Sequence, residues 1–145
     1  MPSSYLSYVG IRVTDLERSP RFYAGALGLK EVGRGDNSPL GGGQYVLLQD
    51  SWSDQRLELN WYPPRSPFAA PDVPGEALDH LAFRVANLPS SLELLQKAGA
   101  RRDDRSGDHR LPDGAPVAYV QDPHGIWLGV YGRPGPLLDD PLEGY

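Results

Sequence analysis

The sequence predicts an α+β fold made from two copies of one strand–helix–strands module. Three observations predict it: a long-range internal repeat, strand-like alternation at matching positions of both copies, and a glycine closing each helical stretch. Tyr8–Ser19 lies over His80–Ser91 at an offset of 72 residues, with Arg12/Arg84, Val13/Val85, Leu16/Leu88 and Ser19/Ser91 identical. Val9/Leu81, Ile11/Phe83 and Asp15/Asn87 are close equivalents. One deletion then shortens the offset to 71, so that Gly28 meets Gly99 and Val46-Leu47-Leu48 meets Val117-Ala118-Tyr119. At the same offset Leu57-Glu58-Leu59 meets Leu128-Gly129-Val130. The modules therefore span about residues 5–62 and 77–132 of a single 145-residue domain.

In the first module Val9, Ile11 and Val13 alternate with Tyr8, Gly10 and Arg12, the period of a half-buried strand. A helix follows, with Ser19 expected as its N-cap and Pro20 as its first helical residue. Phe22, Tyr23, Ala26 and Leu27 supply its buried side, and Gly28 suits a left-handed stop. The second module repeats this with Leu81, Phe83 and Val85 as strand core, a helix near Ser90–Ala98 and Gly99 as the stop. Gly41-Gly42-Gly43 and Asp113-Gly114 read as turns ahead of strands Gln44–Gln49 and Ala115–Gln121. Final strands are expected at Arg56–Tyr62 and Ile126–Tyr131. Between the modules, Pro63–Gly75 reads as an extended, stiff connector, and residues 133–145 as a surface tail.

Composition narrows the function classes. A net charge of −5 argues against nucleic acid or an anionic membrane as partner. No apolar run approaches the ~20 residues of a bilayer span, and Met1–Gly10 shows no basic-then-apolar leader, so a cytoplasmic location is expected. The absence of cysteine removes disulfides, thiolate metal sites and cysteine nucleophiles. Gly41-Gly42-Gly43 lacks the Lys-Ser/Thr of a phosphate loop, and neither G-x-G-x-x-G nor G-x-S-x-G occurs. Of the three histidines, His109 and His124 fall in a polar loop and a turn, where solvated roles are expected.

The pattern V-x-I-x-V-x-D-L-x-x-S-x-x-F-Y-x-x-x-L-G at Val9–Gly28 resembles the vicinal oxygen chelate superfamily. So do L-E-L-N at Leu57–Asn60, L-D-H-L-A-F-R-V at Leu78–Val85 and D-P-H-G at Asp122–Gly125. That superfamily holds glyoxalase I, bleomycin-resistance proteins, extradiol dioxygenases, fosfomycin-resistance enzymes and methylmalonyl-CoA epimerase. The resemblance implies two βαβββ modules whose eight strands form a U-shaped cup, usually in a homodimer. It also implies a divalent metal (Ni, Mn, Fe or Zn) held by side chains that match Tyr8, Glu58, His80 and Gly129. Glu58 and His80 are the family's ligand types; Tyr8 replaces a His or Gln, and Gly129 a Glu. A divalent ion needs at least three well-placed ligands, so no cofactor is expected.

If those four positions face the cup, their neighbours two residues away face it too. The expected lining is Tyr8, Gly10 and Arg12; Glu58, Asn60 and Tyr62; His80, Ala82 and Arg84; Trp127, Gly129 and Tyr131. Aromatics for stacking, two arginines for charge and tiny residues for floor space make a small-molecule pocket. The reading is a bleomycin-resistance-like binding protein for a planar or aromatic ligand, with a degenerate metal site. The alternative is a metal-dependent lyase, isomerase or dioxygenase using Glu58 and His80. Arg12 matches a glutathione-contacting position of glyoxalase I, whereas Leu57–Trp61 departs from that enzyme's E-L-T-x-N-W segment. A plainer reading pairs Glu58 and His80 with each other or with Arg12 and Arg84. In it Tyr62, Trp127 and Tyr131 close a dimer interface or plug the cup.

Overall fold

The computed structural model describes residues 6–37, 42–70, 78–102, 109–110 and 114–133. The chain divides into two compact units, Met1–Pro71 and Asp72–Tyr145. The first runs β1 (Val9–Arg12), α1 (Arg18–Leu27), β2 (Lys30–Asn37), β3 (Gly43–Gln49) and β4 (Arg56–Trp61). Its sheet has the order β1-β4-β3-β2, with β1 parallel to β4 and the other pairs antiparallel. The second runs β5 (Leu81–Arg84), α2 (Leu88–Lys97), β6 (Arg101–Arg102), β7 (His109–Arg110), β8 (Pro116–Gln121) and β9 (Trp127–Tyr131). Here β5 lies parallel to β9, and β6 and β7 are two short pieces along the same edge of β8. Both units thus carry the expected module. No helix among the described residues is long and apolar enough to cross a membrane.

Each core lies between one helix and one face of its sheet. Phe22 and Tyr23 of α1 bury against the side of the sheet that carries Ile11, Val46, Leu48, Leu57 and Leu59. Leu92 and Leu95 of α2 do the same over Ala118, Val120, Leu128 and Val130. Apolar residues two apart on each strand supply this face, so the polar and aromatic residues between them fall on the other.

The helices start earlier than Ser19 and Ser90. Glu17 is the N-cap of α1 but makes no side-chain cap bond. Instead Asp15 Oδ1 accepts from the backbone N–H of Glu17 (2.8 Å) and Arg18 (2.9 Å), which satisfies the open first turn. Ser19 is then inside the helix and fully buried. In α2 the equivalent Asn87 is the N-cap, and its Oδ1 accepts from Ser90 N–H at 3.0 Å. Gly28, at φ 73°, ends α1 as expected.

The repeat offset at the third strand also differs from expectation. Val46 and Leu48 pair with Leu59 and Leu57, and Ala118 and Val120 pair with Val130 and Leu128. Val46 therefore corresponds to Ala118, not Val117, so the offset is 72 at the third strand of the module, although it is 71 at the glycine stops Gly28 and Gly99. It returns to 71 in the following turn, which has six residues at Asp50–Gln55 and five at Asp122–Ile126. The same aspartate organises both turns. Asp50 Oδ2 accepts from Trp52 N–H (3.1 Å) and the Ser53 hydroxyl (2.8 Å); fully buried Asp122 Oδ1 accepts from His124 N–H (2.8 Å) and Ile126 N–H (2.9 Å). His124 thus sits half-buried in a turn built by its neighbour.

The connector corrects another expectation. Its described part, 63–70, is not extended: Ser66 N–H donates to Pro63 O (2.8 Å) and Ala69 N–H to Ser66 O (3.2 Å), giving two successive turns. The Pro71–Gly75 part, Gly41, Asp113 and the tail beyond Arg133 lie outside the described residues.

Two alanine substitutions in one helix should have opposite signs. Gly25 is exposed within α1 and its added Cβ meets nothing, so Gly25→Ala should stabilise by about 0.5–1 kcal/mol. Gly28→Ala forces a side chain into the left-handed region and should cost about 1–2 kcal/mol. Urea unfolding of the two variants measures both.

Candidate functional site

On the first unit, the face turned away from α1 carries the expected residues in one register. Gly10 stands beside Glu58, and Arg12 beside Asn60, across the parallel β1–β4 pair. Leu47 and Tyr45 of β3 continue the two rows. Asn60 is only 9% exposed, and its Nδ2 donates to Glu58 O at 3.4 Å. A Cβ on Gly10 would come within 3.2 Å of that amide nitrogen, so the bare backbone of Gly10 gives Asn60 its place. Tyr8, just ahead of β1, is exposed. Tyr62 lies flat against Gly43, where a Cβ would be 2.6 Å from its ring, and its centroid is 5.4 Å from that of Phe68. Arg12 Nε donates to Ala70 O at 2.8 Å.

The second unit presents a matching face. Ala82 stands beside Gly129 and Arg84 beside Tyr131 on the β5–β9 pair, with Tyr119 opposite Gly129 on β8. The Arg84 guanidinium sits 5.3 Å from the Tyr131 ring centroid, a cation–π contact. His80 and Tyr119 meet edge to face, with centroids 5.7 Å apart. Both rings close over Gly129, each within 3.3 Å of where its Cβ would stand. The floor left bare by Gly129 is therefore filled by the protein's own rings. His80 Nδ1 lies 2.6 Å from Asp79 Oδ1, so its hydrogen-bond partner is its chain neighbour. Trp127 and Tyr131 are half-buried.

Residues 5–130 match the model of the Glyoxalase/Bleomycin resistance protein/Dioxygenase superfamily. The chain belongs to this superfamily. Its fold is similar to that of a glyoxalase family protein from Bacillus cereus, at 20% identity and TM-score 0.73, covering 91% of this chain and 97% of that one. The trypanothione-dependent glyoxalase I of Leishmania major aligns at 25% identity and TM-score 0.67, over 90% of this chain and 87% of its own. TnmS3, an antibiotic binding protein from Streptomyces sp. CB03234, aligns at 23% identity and TM-score 0.62, over 91% and 98%. No curated protein matches the chain.

For a member of this superfamily the donor set is poor. Gly129 brings no donor, and the space a donor would need is bounded by the rings of His80 and Tyr119. Tyr8 brings a phenol in place of an imidazole or amide. Among the described residues no three His, Asp or Glu side chains gather into a group able to hold an ion. Of the four positions that the resemblance assigns, Glu58 on the first unit and His80 on the second carry the family's ligand types.

Two members of these faces, Tyr45 and Tyr119, escape a reading of the sequence. An offset of 71 lays Tyr119 over core-facing Leu48, whereas the true offset lays it over Leu47, on the open face. A one-residue slip reverses every side chain of a strand. Tyr45 packs over Gly35, where a Cβ would be 2.9 Å from its hydroxyl. The signal was the alternation Tyr45–Leu47 against Gly33–Gly35 on a strand with little apolar content.

Placing the family's glutamate at Gly129 should now disrupt the face. Gly129→Glu puts a side chain at a buried backbone position where its Cβ stands 3.3 Å from both the His80 and Tyr119 rings, which must give way, and should cost about 1–3 kcal/mol as overpacking. Urea unfolding gives the cost, and the His80 ring proton shifts report the displacement.

Proposed function

We propose that the chain binds a compact small molecule with a planar aromatic or conjugated part, on the ring-bearing faces of its sheets, without a resident metal. The observation that carries this is the surface around Gly129. There the His80–Tyr119 pair and the Arg84–Tyr131 pair stand where the resemblance implies a metal-binding carboxylate. Rings already locked in place lose little freedom when a ligand stacks on them. Stacking adds about 0.5–1.5 kcal/mol beyond buried area, and a charge-assisted hydrogen bond to Arg12 or Arg84 about 1.5–3 kcal/mol. Micromolar affinity, about −8 kcal/mol, is within reach of such contacts plus burial. The superfamily fold serves an antibiotic binding protein, TnmS3, as well as glyoxalase I, so it supports binding as an end in itself. Assembly as a homodimer belongs to the same reading, and light scattering should give twice the 15.9 kDa chain mass.

A screen of planar aromatic acids and antibiotics by thermal shift and tryptophan fluorescence tests the proposal. Binders should raise the melting temperature of the wild type, and their affinity should fall about tenfold in Tyr131→Ala, which removes the ring beneath Arg84. A library from which no planar compound binds would end this reading. Metal analysis of tag-free protein is the second arm. About one equivalent of Ni, Mn, Fe or Zn, lost in His80→Ala, would replace it with a metal-dependent lyase, isomerase or dioxygenase. The Asp79–His80 bond favours that alternative, because metal-bound histidines commonly donate their second N–H to a carboxylate.

A further inference from the structure

We propose that residues 63–70 form a strap latched onto the open face of the first unit, and that the exposed ring of Phe68 is a stacking wall for an aromatic anion held by Arg12. This rests on the ligand-binding reading and adds to it a stacking site on the first unit and a ligand class. Three contacts hold the strap. At its start Tyr62 is pressed onto the backbone of Gly43 and packs against Phe68. In its middle two turns centre on Ser66, whose Oγ also accepts from Phe68 N–H at 3.2 Å. At its end Ala70 O takes the Arg12 Nε–H from the open face of β1.

Tyr62 is consequently engaged on Gly43 and Phe68, while Phe68 keeps 46% of its surface exposed. An aromatic side chain held by its neighbours but half uncovered is a surface ready to stack. The latch uses one of the five guanidinium N–H donors of Arg12, and leaves outside it the paired amino edge that grips carboxylates side by side. Ala70 follows Phe68 by two residues, which keeps their Cα atoms within about 7 Å of each other. Glu58, the carboxylate of the same face, stands opposite Gly10 rather than Arg12. The chemistry that fits is a flat ring bearing a carboxylate or a similar anion.

Calorimetry of the full chain with 2-naphthoate and with its uncharged amide tests this. The wild type should bind the acid more tightly than the amide. Phe68→Ala should weaken the acid about three- to tenfold while moving the melting temperature little, because the ring is half exposed. Arg12→Gln should erase the preference for the acid, and should speed trypsin cleavage after exposed Arg65 because the latch is gone. Equal affinities in wild type and Phe68→Ala, no preference for the acid, or equal cleavage at Arg65 in wild type and Arg12→Gln would each overturn the strap. If other planar compounds from the screen bind wild type and Phe68→Ala alike, the strap falls and the ligand reading stands. If none binds the wild type, both fall.

Discussion

The parallel pairing of each unit's first strand with its last is the constraint on which the rest depends. A parallel neighbour cannot be reached through a tight turn, so the chain leaves β1, crosses by α1 and two further strands, and returns beside it. The crossover helix covers one face and commits it to Ile11, Leu57 and Leu59. Alternation then leaves Gly10, Arg12, Glu58 and Asn60 together on the other face. The second unit repeats the logic with Ala82, Arg84, Gly129 and Tyr131. One register sets both the core and the face available for function.

On those faces the strand glycines act as seats. Glycine inside a strand costs conformational entropy and offers nothing to pack, so its use calls for a return. At Gly35 and Gly43 the return is a tyrosine ring lying against bare backbone, at Gly10 the buried amide of Asn60, and at Gly129 two rings at once. Each ring or amide is fixed by a neighbouring strand rather than by a ligand. These contacts are all made within the protein itself.

The modules were legible because duplication shows the same alternation and the same helix stop twice. Asp15 and Asn87, noticed as equivalents, prove to be the residues that satisfy the two helix starts. What the sequence hid has physical reasons. Lys30–Asn37 has one apolar residue, Val32, and that residue is exposed; backbone pairing with β3 makes it a strand, and no side-chain pattern announces it. The fold of the strap depends on hydrogen bonds to Ser66 and Arg12, whereas its prolines alone suggest extension. Alternation puts the candidate residues on the faces turned away from the helices, as the register has them, but it reads the glycines as open floor. The rings that fill it come from strands whose register turns on one residue in a turn.

Gly129 decides what can stand on this part of the second unit's open face. A glutamate there would offer a ligand oxygen, but its Cβ alone would press on His80 and Tyr119 at 3.3 Å. Close packing tolerates no such addition without movement of both rings. Conversely, glycine admits the edge-to-face pair and gives up the carboxylate. The metal-binding carboxylate and the ring pair therefore compete for one volume on β9. The chain has filled that volume with two rings set edge to face.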